Sequence, residues 1–322
     1  MRHMERDRVF KKMLFLTDGS PSALSAQELA IFLAKKLGSE VTVFHVVTHE
    51  LMKPRFQDFL MQGRAIPESA DIRPGVEVSS EVTWARDEPT SAGAHYSERI
   101  EHELTSIYRQ EGEDIVADAA QVFKEEGVPA EQKVVEHKGV AEAVMEEIER
   151  EDYDAIIMGR TGKKEKQSHM GSVAEKVSRH SDIPVLVAGE KTTISKVLVP
   201  LDGSKTSERA LEYGAVLSRK IGAKLTLLHI QESRLFGMRP EVTKAIGKGI
   251  LAEAAKKLKT MSYDQKLESG HPARKISEIA EKEDFDVIVM GGTGHSGVGR
   301  LFLGSVSNHV LHYTNHSVLV VR

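Results

Sequence analysis

The densest group of residues with a capacity for chemistry follows an apolar run near the end of the chain. Val287–Met290 has the length and β-branching of a buried strand, and five glycines lie between this strand and Gly304. The loop ends at Gly304-Ser305, where a helical pattern begins, and Ser305 is expected to be the N-cap. Glycine lets backbone N–H groups approach an anion closely, and the first turn of a helix adds unpaired donors. This order of strand, loop and helix predicts a phosphate site.

Two common phosphate motifs do not account for the loop. A Walker sequence is absent, since no Gly-Lys-Ser or Gly-Lys-Thr occurs at the required spacing. Gly292–Gly297 satisfies G-x-G-x-x-G, but a dinucleotide site also needs a helix at the third glycine and a later acidic residue. Gly299 continues the loop and no acidic residue follows Asp286, so the dinucleotide interpretation is disfavoured.

The chain contains an internal duplication. Lys12–Ser20 matches Lys196–Ser204 at an offset of 184 residues, and Asp154–Gly159 matches Asp286–Gly291 at an offset of 132. Gly171-Ser172-Val173 likewise repeats as Gly304-Ser305-Val306. We therefore predict two tandem domains, 1–190 and 191–322. The first carries 52 extra residues between its second and fourth strands, and most of them form an insert at about 49–94.

Each copy alternates strands with helices. The apolar strands have the continuous hydrophobicity of parallel strands that are covered on both faces. They are predicted at Lys12–Thr17, Val41–Val47, Gln132–Glu136, Asp154–Met158 and Pro184–Ala188, and again at Lys196–Leu201, Lys224–Ile230, Asp264–Glu268, Asp286–Met290 and Val318–Val321. The helix before the third strand is predicted at about Tyr96–Glu126. The fold class is α/β, with two tandem doubly wound parallel five-stranded sheets.

Such sheets bind ligands at the carboxyl ends of their strands, where the strand order reverses. Asp18 and Asp202 end the first strand of each copy, and the glycine loops end the fourth strands. If the first and fourth strands are neighbours, each aspartate faces its own glycine loop.

The spacing Gly291-x2-Gly294-x9-Gly304-Ser305, with the duplication, resembles the universal stress protein family. That resemblance implies a flavodoxin-like sandwich in each half and binding of ATP or AMP, with or without Mg²⁺. It implies that the aspartate contacts adenosine, that an apolar residue after the second-strand histidine packs on the base, and that the loop holds phosphates. The implied residues of the second copy are Asp202, Ile230, Gly291, Gly294, Gly304, Ser305 and Val306, and His295 and Arg300 lie in the loop within reach of phosphate oxygens.

The first copy departs from this pattern. After Gly159-x2-Gly162 only eight residues precede Gly171-Ser172, and none of them is glycine. Lys163, Lys164 and Lys166 offer charge in place of a backbone cradle. The resemblance implies a second possible site at Asp18, Val46, Gly159, Gly162, Gly171 and Ser172, and the sequence leaves open whether it binds nucleotide.

Structural explanations compete with several of these interpretations. Asp-Gly-Ser is an ordinary turn and helix cap, and Ser172 and Ser305 suit caps with or without phosphate. His45 and His229 are expected in the core or at a strand end. His309, His312 and His316 are not joined by an acidic residue and their counterparts are Lys176, Arg179 and Ile183, so no metal site is predicted. No nucleophile with an adjacent base is evident, so no catalytic residue is predicted.

Composition narrows the functional classes. The 322 residues carry a net charge of −4, contain no cysteine and show neither a membrane span nor a signal peptide at the N-terminus. We expect a cytoplasmic protein without nucleic-acid or membrane partners. Its two copies are expected to pack as an intramolecular pseudo-dimer through their terminal strands, with further homo-oligomerisation and a protein partner unknown. The leading function is an adenine-nucleotide-binding stress-response or signalling protein; a weak ATPase or autophosphorylating protein and a nucleotide-independent interaction module are the alternatives.

Overall fold

A computed structural model describes residues 9–48, 91–162, 170–232, 239–258, 261–294 and 303–322, with the backbone alone over 91–104. The helices are α1 (Pro21–Leu37), α2 (Ser91–Glu125), α3 (Val140–Arg150), α4 (Ser172–His180), α5 (Lys205–Ile221), α6 (Pro240–Lys257), α7 (Pro272–Lys282) and α8 (Ser305–Tyr313). The strands are β1 (Lys12–Leu16), β2 (Glu40–Thr48), β3 (Ala130–His137), β4 (Ala155–Met158), β5 (Val185–Val187), β6 (Lys196–Pro200), β7 (Lys224–Gln231), β8 (Tyr263–Ser269), β9 (Val287–Gly291) and β10 (Ser317–Val321).

The ten strands form one sheet in the order β3-β2-β1-β4-β5-β10-β9-β6-β7-β8. Strands within each half are parallel, whereas β5 and β10 pair antiparallel, with Leu186 opposite Leu319. The α/β fold and the two halves predicted from the sequence are confirmed. Their sheets are continuous because the terminal strands, which we expected to pair, hydrogen-bond to each other.

Helices cover both faces of the sheet, so the strands are buried on both sides. Along β1, Met13 and Phe15 join one hydrophobic cluster, while Leu14 and Leu16 join the other. The first cluster takes residues from α1, α2, α5 and α6, and the second takes residues from α3, α4, α7 and α8. Each cluster spans both halves of the molecule. This double coverage explains why the strand sequences are apolar without alternation.

Local signals set most helix ends. The side chains of Ser20 and Ser204 cap α1 and α5, and Gly38 and Gly222 end those helices in the left-handed conformation, with φ of +67° and +77°. Helix α2 begins at Ser91 rather than near Tyr96, so the last residues assigned to the insert are helical. The remainder of the predicted insert lies outside the described residues. None of the helices in the described part of the chain combines the length and apolar content that a bilayer crossing requires.

Candidate functional site

The strand order reverses at the same place in each half. Strand β1 lies between β2 and β4, and β6 lies between β7 and β9. The residues that follow β1 and β4, or β6 and β9, therefore meet at the carboxyl edge of the sheet. A β-carbon on Gly162 would lie 3.0 Å from Oδ2 of Asp18, and one on Gly294 would lie 3.1 Å from Oδ2 of Asp202. Each aspartate is thus beside its own glycine loop.

One oxygen of each aspartate is engaged by the turn that follows it. The N–H of Ser20 donates to Oδ1 of Asp18 at 3.0 Å, and the N–H of Ser204 donates to Oδ1 of Asp202 at 2.9 Å. The Ser204 hydroxyl also donates to that oxygen at 2.6 Å. The turn interpretation of Asp-Gly-Ser is correct for Oδ1. The other oxygen, Oδ2, faces the loop glycine.

A histidine holds the peptide that precedes each aspartate. Nδ1 of His45 lies 2.8 Å from the carbonyl oxygen of Thr17, and Nδ1 of His229 lies 2.7 Å from that of Leu201. Because a carbonyl only accepts, the imidazole nitrogen donates. The expected strand-end role of these histidines is therefore observed. It places them one residue from the aspartate as positioning groups.

Glycines in α2 and α6 make room for these imidazoles. A β-carbon on Gly112 would lie 2.8 Å from Cδ2 of His45, and one on Gly247 would lie 2.7 Å from Cδ2 of His229. The next strand residues are Val46, which is half-buried, and Ile230, which is only 9% exposed. A base packing on Ile230 would therefore meet a small apolar area.

The first glycine of each loop has a packing role of its own. A β-carbon on Gly159 would lie 2.7 Å from the backbone of Ser22, and one on Gly291 would lie 2.8 Å from that of Thr206. The loop is tied to the same helical turn, since the N–H of Arg160 donates to Oγ of Ser22 at 2.7 Å and Oγ1 of Thr206 donates to the Thr293 carbonyl. Sequence reasoning missed Ser22 and Thr206, although the 184-residue offset pairs them as small hydroxyl residues.

The helices α4 and α8 begin at the predicted serines, but the N-caps are wrong by one residue. Gly171 and Gly304 are the N-caps, in extended backbone, and the serines are the first helical residues. Neither glycine offers a side-chain acceptor to the first turn. The N–H of Gly304 donates to the Gly292 carbonyl at 2.6 Å, which ties this helix start to the loop. An anion is a suitable acceptor for the N–H groups of such a turn.

The serines and the residue after them differ in burial. Ser172 and Ser305 are exposed, whereas Val306 is partly buried and packs on the second hydrophobic cluster. Two residues after Ser305, the Ser307 hydroxyl donates to the Gly291 carbonyl at 2.7 Å. The Val306 side chain therefore serves packing, which leaves only its backbone as a candidate for contact with a ligand.

The sequence model of the universal stress protein family matches residues 10–189 and 193–322. The chain belongs to this family. Universal stress protein Slr1230 of Synechocystis sp. is 25% identical over 317 residues, which cover 97% of this chain and 100% of that protein. Universal stress protein MJ0531 of Methanocaldococcus jannaschii is 30% identical over 148 residues, 42% of this chain and 87% of that protein.

Solved structures agree with the fold. The crystal structure of a universal stress protein from Archaeoglobus fulgidus matches with a TM-score of 0.62 at 23% identity and covers 99% of both chains. A universal stress protein solved in complex with cAMP is 28% identical and matches 40% of this chain and 97% of its own, with a TM-score of 0.34.

The repeated aspartates Asp154 and Asp286 lie at the opposite, amino edge of this universal stress protein sheet. Oδ2 of Asp286 accepts from the N–H groups of Ser195 at 2.6 Å and Lys196 at 2.8 Å, while Oδ1 meets Nζ of Lys191 at 2.7 Å. Burial opposes ionisation of Asp286, but the hydrogen bonds from Lys191 and Ser195 bring its pKa below the usual value. These aspartates hold strands together and take no part in the candidate site.

Two groups of candidates remain, the charged loop residues and the C-terminal histidines. His295, Arg300, Lys163, Lys164 and Lys166 lie outside the described residues. The ring of His309 packs on Tyr313 at 4.4 Å between centroids, and Nε2 of His316 lies 3.2 Å from Glu281. Glu175 lies 4.0 Å from His312. Acidic partners thus come from other segments, yet across the described ranges no three His, Asp or Glu side chains are grouped to hold a metal ion.

Proposed function

We propose that this chain binds an adenine nucleotide, ATP or AMP, mainly in its second half, and that the bound nucleotide serves a stress-response or signalling role. One observation supports the site above all others: an aspartate, a glycine loop and an uncapped helix start converge at the strand-order reversal. A β-carbon on Gly294 would lie 3.1 Å from Asp202, and one on Gly304 would lie 3.4 Å from the Gly294 nitrogen. This is where a doubly wound sheet binds ligands.

Charge sets the direction in which the nucleotide lies. An ionised carboxylate accepts hydrogen bonds and repels phosphate, so Asp202 suits the hydroxyl or amine donors of adenosine. The N-terminus of α8 carries the positive end of the helix dipole and suits the phosphates. Adenosine is therefore assigned to Asp202 and Ile230. The phosphates are assigned to Gly294, Gly304, Ser305 and the backbone of Val306.

The first half offers the same framework with a weaker cradle. The N–H of Gly171 donates to the Arg160 carbonyl at 2.8 Å, as Gly304 donates to Gly292 in the second half. The segment between Gly162 and Gly171 is one residue shorter than its counterpart and has no glycine. We infer a second site of lower affinity at Asp18, Gly162, Gly171 and Ser172. Val46 would meet the base, and Gly159 would support the loop.

Calorimetric titration of the nucleotide-free chain with Mg-ATP, AMP and cAMP tests this proposal. We expect a strong site with a stoichiometry of one and a weaker second site. The double variant Asp202→Ala, Gly304→Val should abolish the strong site and leave the fold intact. A β-carbon at Gly304 meets its neighbours at ordinary contact distance, from 3.4 Å, and the φ of −62° suits any residue, so valine fills the cradle without displacing the helix.

The matched control is Asp18→Ala, which should spare the strong site. Unchanged ATP affinity in the double variant would refute the site. Binding of none of the three nucleotides to the wild-type chain would refute the function and leave an interaction module. Steady-state phosphate release from ATP above that of Gly304→Val would instead indicate a weak ATPase.

A further inference from the structure

Two arginines cross the junction between the halves beside the antiparallel pair β5–β10. The guanidinium of Arg160, which follows β4, donates to the carbonyl of Leu311 and, at 2.9 Å, to that of His316. The guanidinium of Arg322, after β10, donates to the carbonyl of Ser178 at 3.1 Å and to that of Arg179. Each arginine thus meets the C-terminal end of a helix in the other half: α8 for Arg160 and α4 for Arg322.

The two contacts are equivalent although the two arginines are not. Ser178 and Leu311 each lie seven residues after the repeated Gly-Ser glycine, so they are counterparts. By the same comparison, Arg160 corresponds to Gly292 and Arg322 corresponds to Gly189. In each half, the C-terminal end of the equivalent helix therefore accepts from an arginine of the other half, but the two arginines follow strands that are not equivalent.

Close packing explains the glycine at each counterpart position. A β-carbon on Gly189 would overlap the backbone of Asn315 and His316, and one on Gly292 would lie 3.2 Å from Cγ of Arg322. A second arginine has no space at position 189, and one at position 292 would crowd Arg322. Each half contributes one arginine and one glycine to the junction, and the two contributions fit each other.

The arginines also belong to the glycine loops. Arg160 lies between Gly159 and Gly162, its N–H bonded to Ser22 and its carbonyl accepting from Gly171. Arg322 packs on Gly292, whose N–H donates to the Val321 carbonyl at 2.7 Å. Each guanidinium therefore joins the loop of one candidate site to the helix whose N-terminus belongs to the other.

We propose that Arg160 and Arg322 are positioning residues that couple the two candidate sites, each holding in place the phosphate-facing helix of the other half. This inference rests on the proposed function. Helix α8 has nine residues, and its last carbonyls have no donor within the helix. A planar guanidinium supplies two donors and a positive charge at the negative end of the helix. Its loss allows the last turn to open and the N-terminal N–H groups to shift.

Arg160 remains charged at neutral pH. Burial lowers its pKa to about 10, and the nearby charge of Glu190 acts in the opposite direction. The arrangement is reciprocal, since a ligand that orders the first loop also fixes Arg160 against α8. Occupancy of one site should therefore raise the affinity of the other by the same factor in both directions.

The test uses the full chain with Asp18→Ala, so that only the second-half site is read. Adding Arg160→Met should lower the ATP affinity about three- to tenfold, the range expected for a charge at a helix end. The adenosine affinity should stay within about twofold of that of the Asp18→Ala chain. A role confined to stability would not separate ATP from adenosine. Arg160→Lys should recover part of the ATP affinity, because lysine keeps the charge but not the planar pair of donors.

The control is Arg150→Met, which removes an exposed arginine paired with Glu146 at 3.2 Å, away from the junction. Unchanged ATP affinity in folded Arg160→Met, or equal losses for ATP and adenosine, would overturn the coupling while leaving the nucleotide site in place. Absence of ATP binding before Arg160 is changed would overturn both. If Arg160→Met does not fold, Arg160→Lys decides: wild-type ATP affinity contradicts the proposal, and a selective loss for ATP supports it.

Discussion

The two halves have nearly the same framework at the carboxyl edge and differ in the segment that completes it. A β-carbon on the loop glycine would lie 3.0 Å from the aspartate in the first half and 3.1 Å in the second, and the histidine nitrogen lies 2.8 and 2.7 Å from its carbonyl oxygen. Asp18 is nevertheless half-buried where Asp202 is exposed. Its loop is one residue shorter and lacks glycine in the variable stretch.

This comparison separates what the fold requires from what a ligand requires. Features present in both halves, such as the strand-end histidine and the first loop glycine, have packing reasons visible without a ligand. The loops before α4 and α8 differ between the halves in length and in glycine content, which is a difference in sequence. We therefore expect a difference in nucleotide affinity between the halves to arise from the loops and from the exposure of the two aspartates, since the shared framework alone does not predict it.

The largest effect should come from a glycine that the fold requires. Gly291→Val places a β-carbon 2.8 Å from the backbone of Thr206, so α5 must move away from β9. We expect the free energy of unfolding to fall by about 3 kcal/mol, at the upper end of the range for overpacking. Gly159→Val should have the same effect in the first half, where the new β-carbon would lie 2.7 Å from the backbone of Ser22. Urea denaturation measures both.

The control is Gly304→Val, which should change the free energy of unfolding by less than about 1 kcal/mol while removing nucleotide binding at the strong site. A Gly304→Val chain as unstable as Gly291→Val would show that both glycines serve packing. The division between framework and ligand glycines would then be wrong.

Much of the fold was predictable because local signals and tertiary structure agree. The strands are continuous apolar runs, and Gly38 and Gly222 end helices by a conformation that glycine adopts readily. The N-caps of α4 and α8 were predicted one residue late, since glycine and serine are both common at that position and only backbone geometry separates them. The start of α2 was missed by five residues because Ser91–His95 carries no strong helix signal.

The cross-half contacts could not be predicted from the repeat. Arg160 and Arg322 occupy non-equivalent positions, so aligning the copies pairs each with a glycine and hides their common role. For the first glycine of each loop, the sequence predicted the position but not the packing role. Gly159 and Gly291 fit a ligand motif, yet their neighbours Ser22 and Thr206 are brought close only by the crossover of α1 and α5.

At the amino edge, the buried aspartate of the second half should matter more than its counterpart. Asp286→Asn places an amide donor where four groups donate, and we expect a loss of about 2 kcal/mol in the free energy of unfolding, as for other broken buried networks. Asp154 is half-buried and accepts from the N–H groups of Lys11 and Lys12 at 2.8 and 3.2 Å. Asp154→Asn should cost about half as much.

The same carboxylate predicts a dependence on pH. Because the folded state lowers the pKa of Asp286, its contribution is fully present above the unfolded value of about 3.9 and is lost as pH falls through the lower, folded pKa. Denaturation curves collected from neutral to acid pH should show a shallower acid decline for Asp286→Asn than for the wild-type chain. If the stability of both chains declines equally with falling pH, Asp286 does not contribute to acid denaturation.

The smallest effect we predict compares the two positioning histidines. His229→Phe keeps the ring but loses the 2.7 Å hydrogen bond to the Leu201 carbonyl, and we expect a loss of about 1 kcal/mol in stability. Without that bond the peptide before Asp202 is less firmly held. We therefore expect the ATP affinity of the strong site to fall about threefold, which corresponds to less than 1 kcal/mol. Calorimetric titration provides the measurement.

His45→Phe is the matched variant, because its 2.8 Å bond to Thr17 is the same interaction in the other half. It should lower stability by a similar amount and leave the strong site unchanged. Equal loss of ATP affinity in both variants would mean that the strong site is not confined to the second half. Loss in His229→Phe alone would place it beside Asp202, because the two substitutions perturb the framework equally and differ only in which aspartate they release.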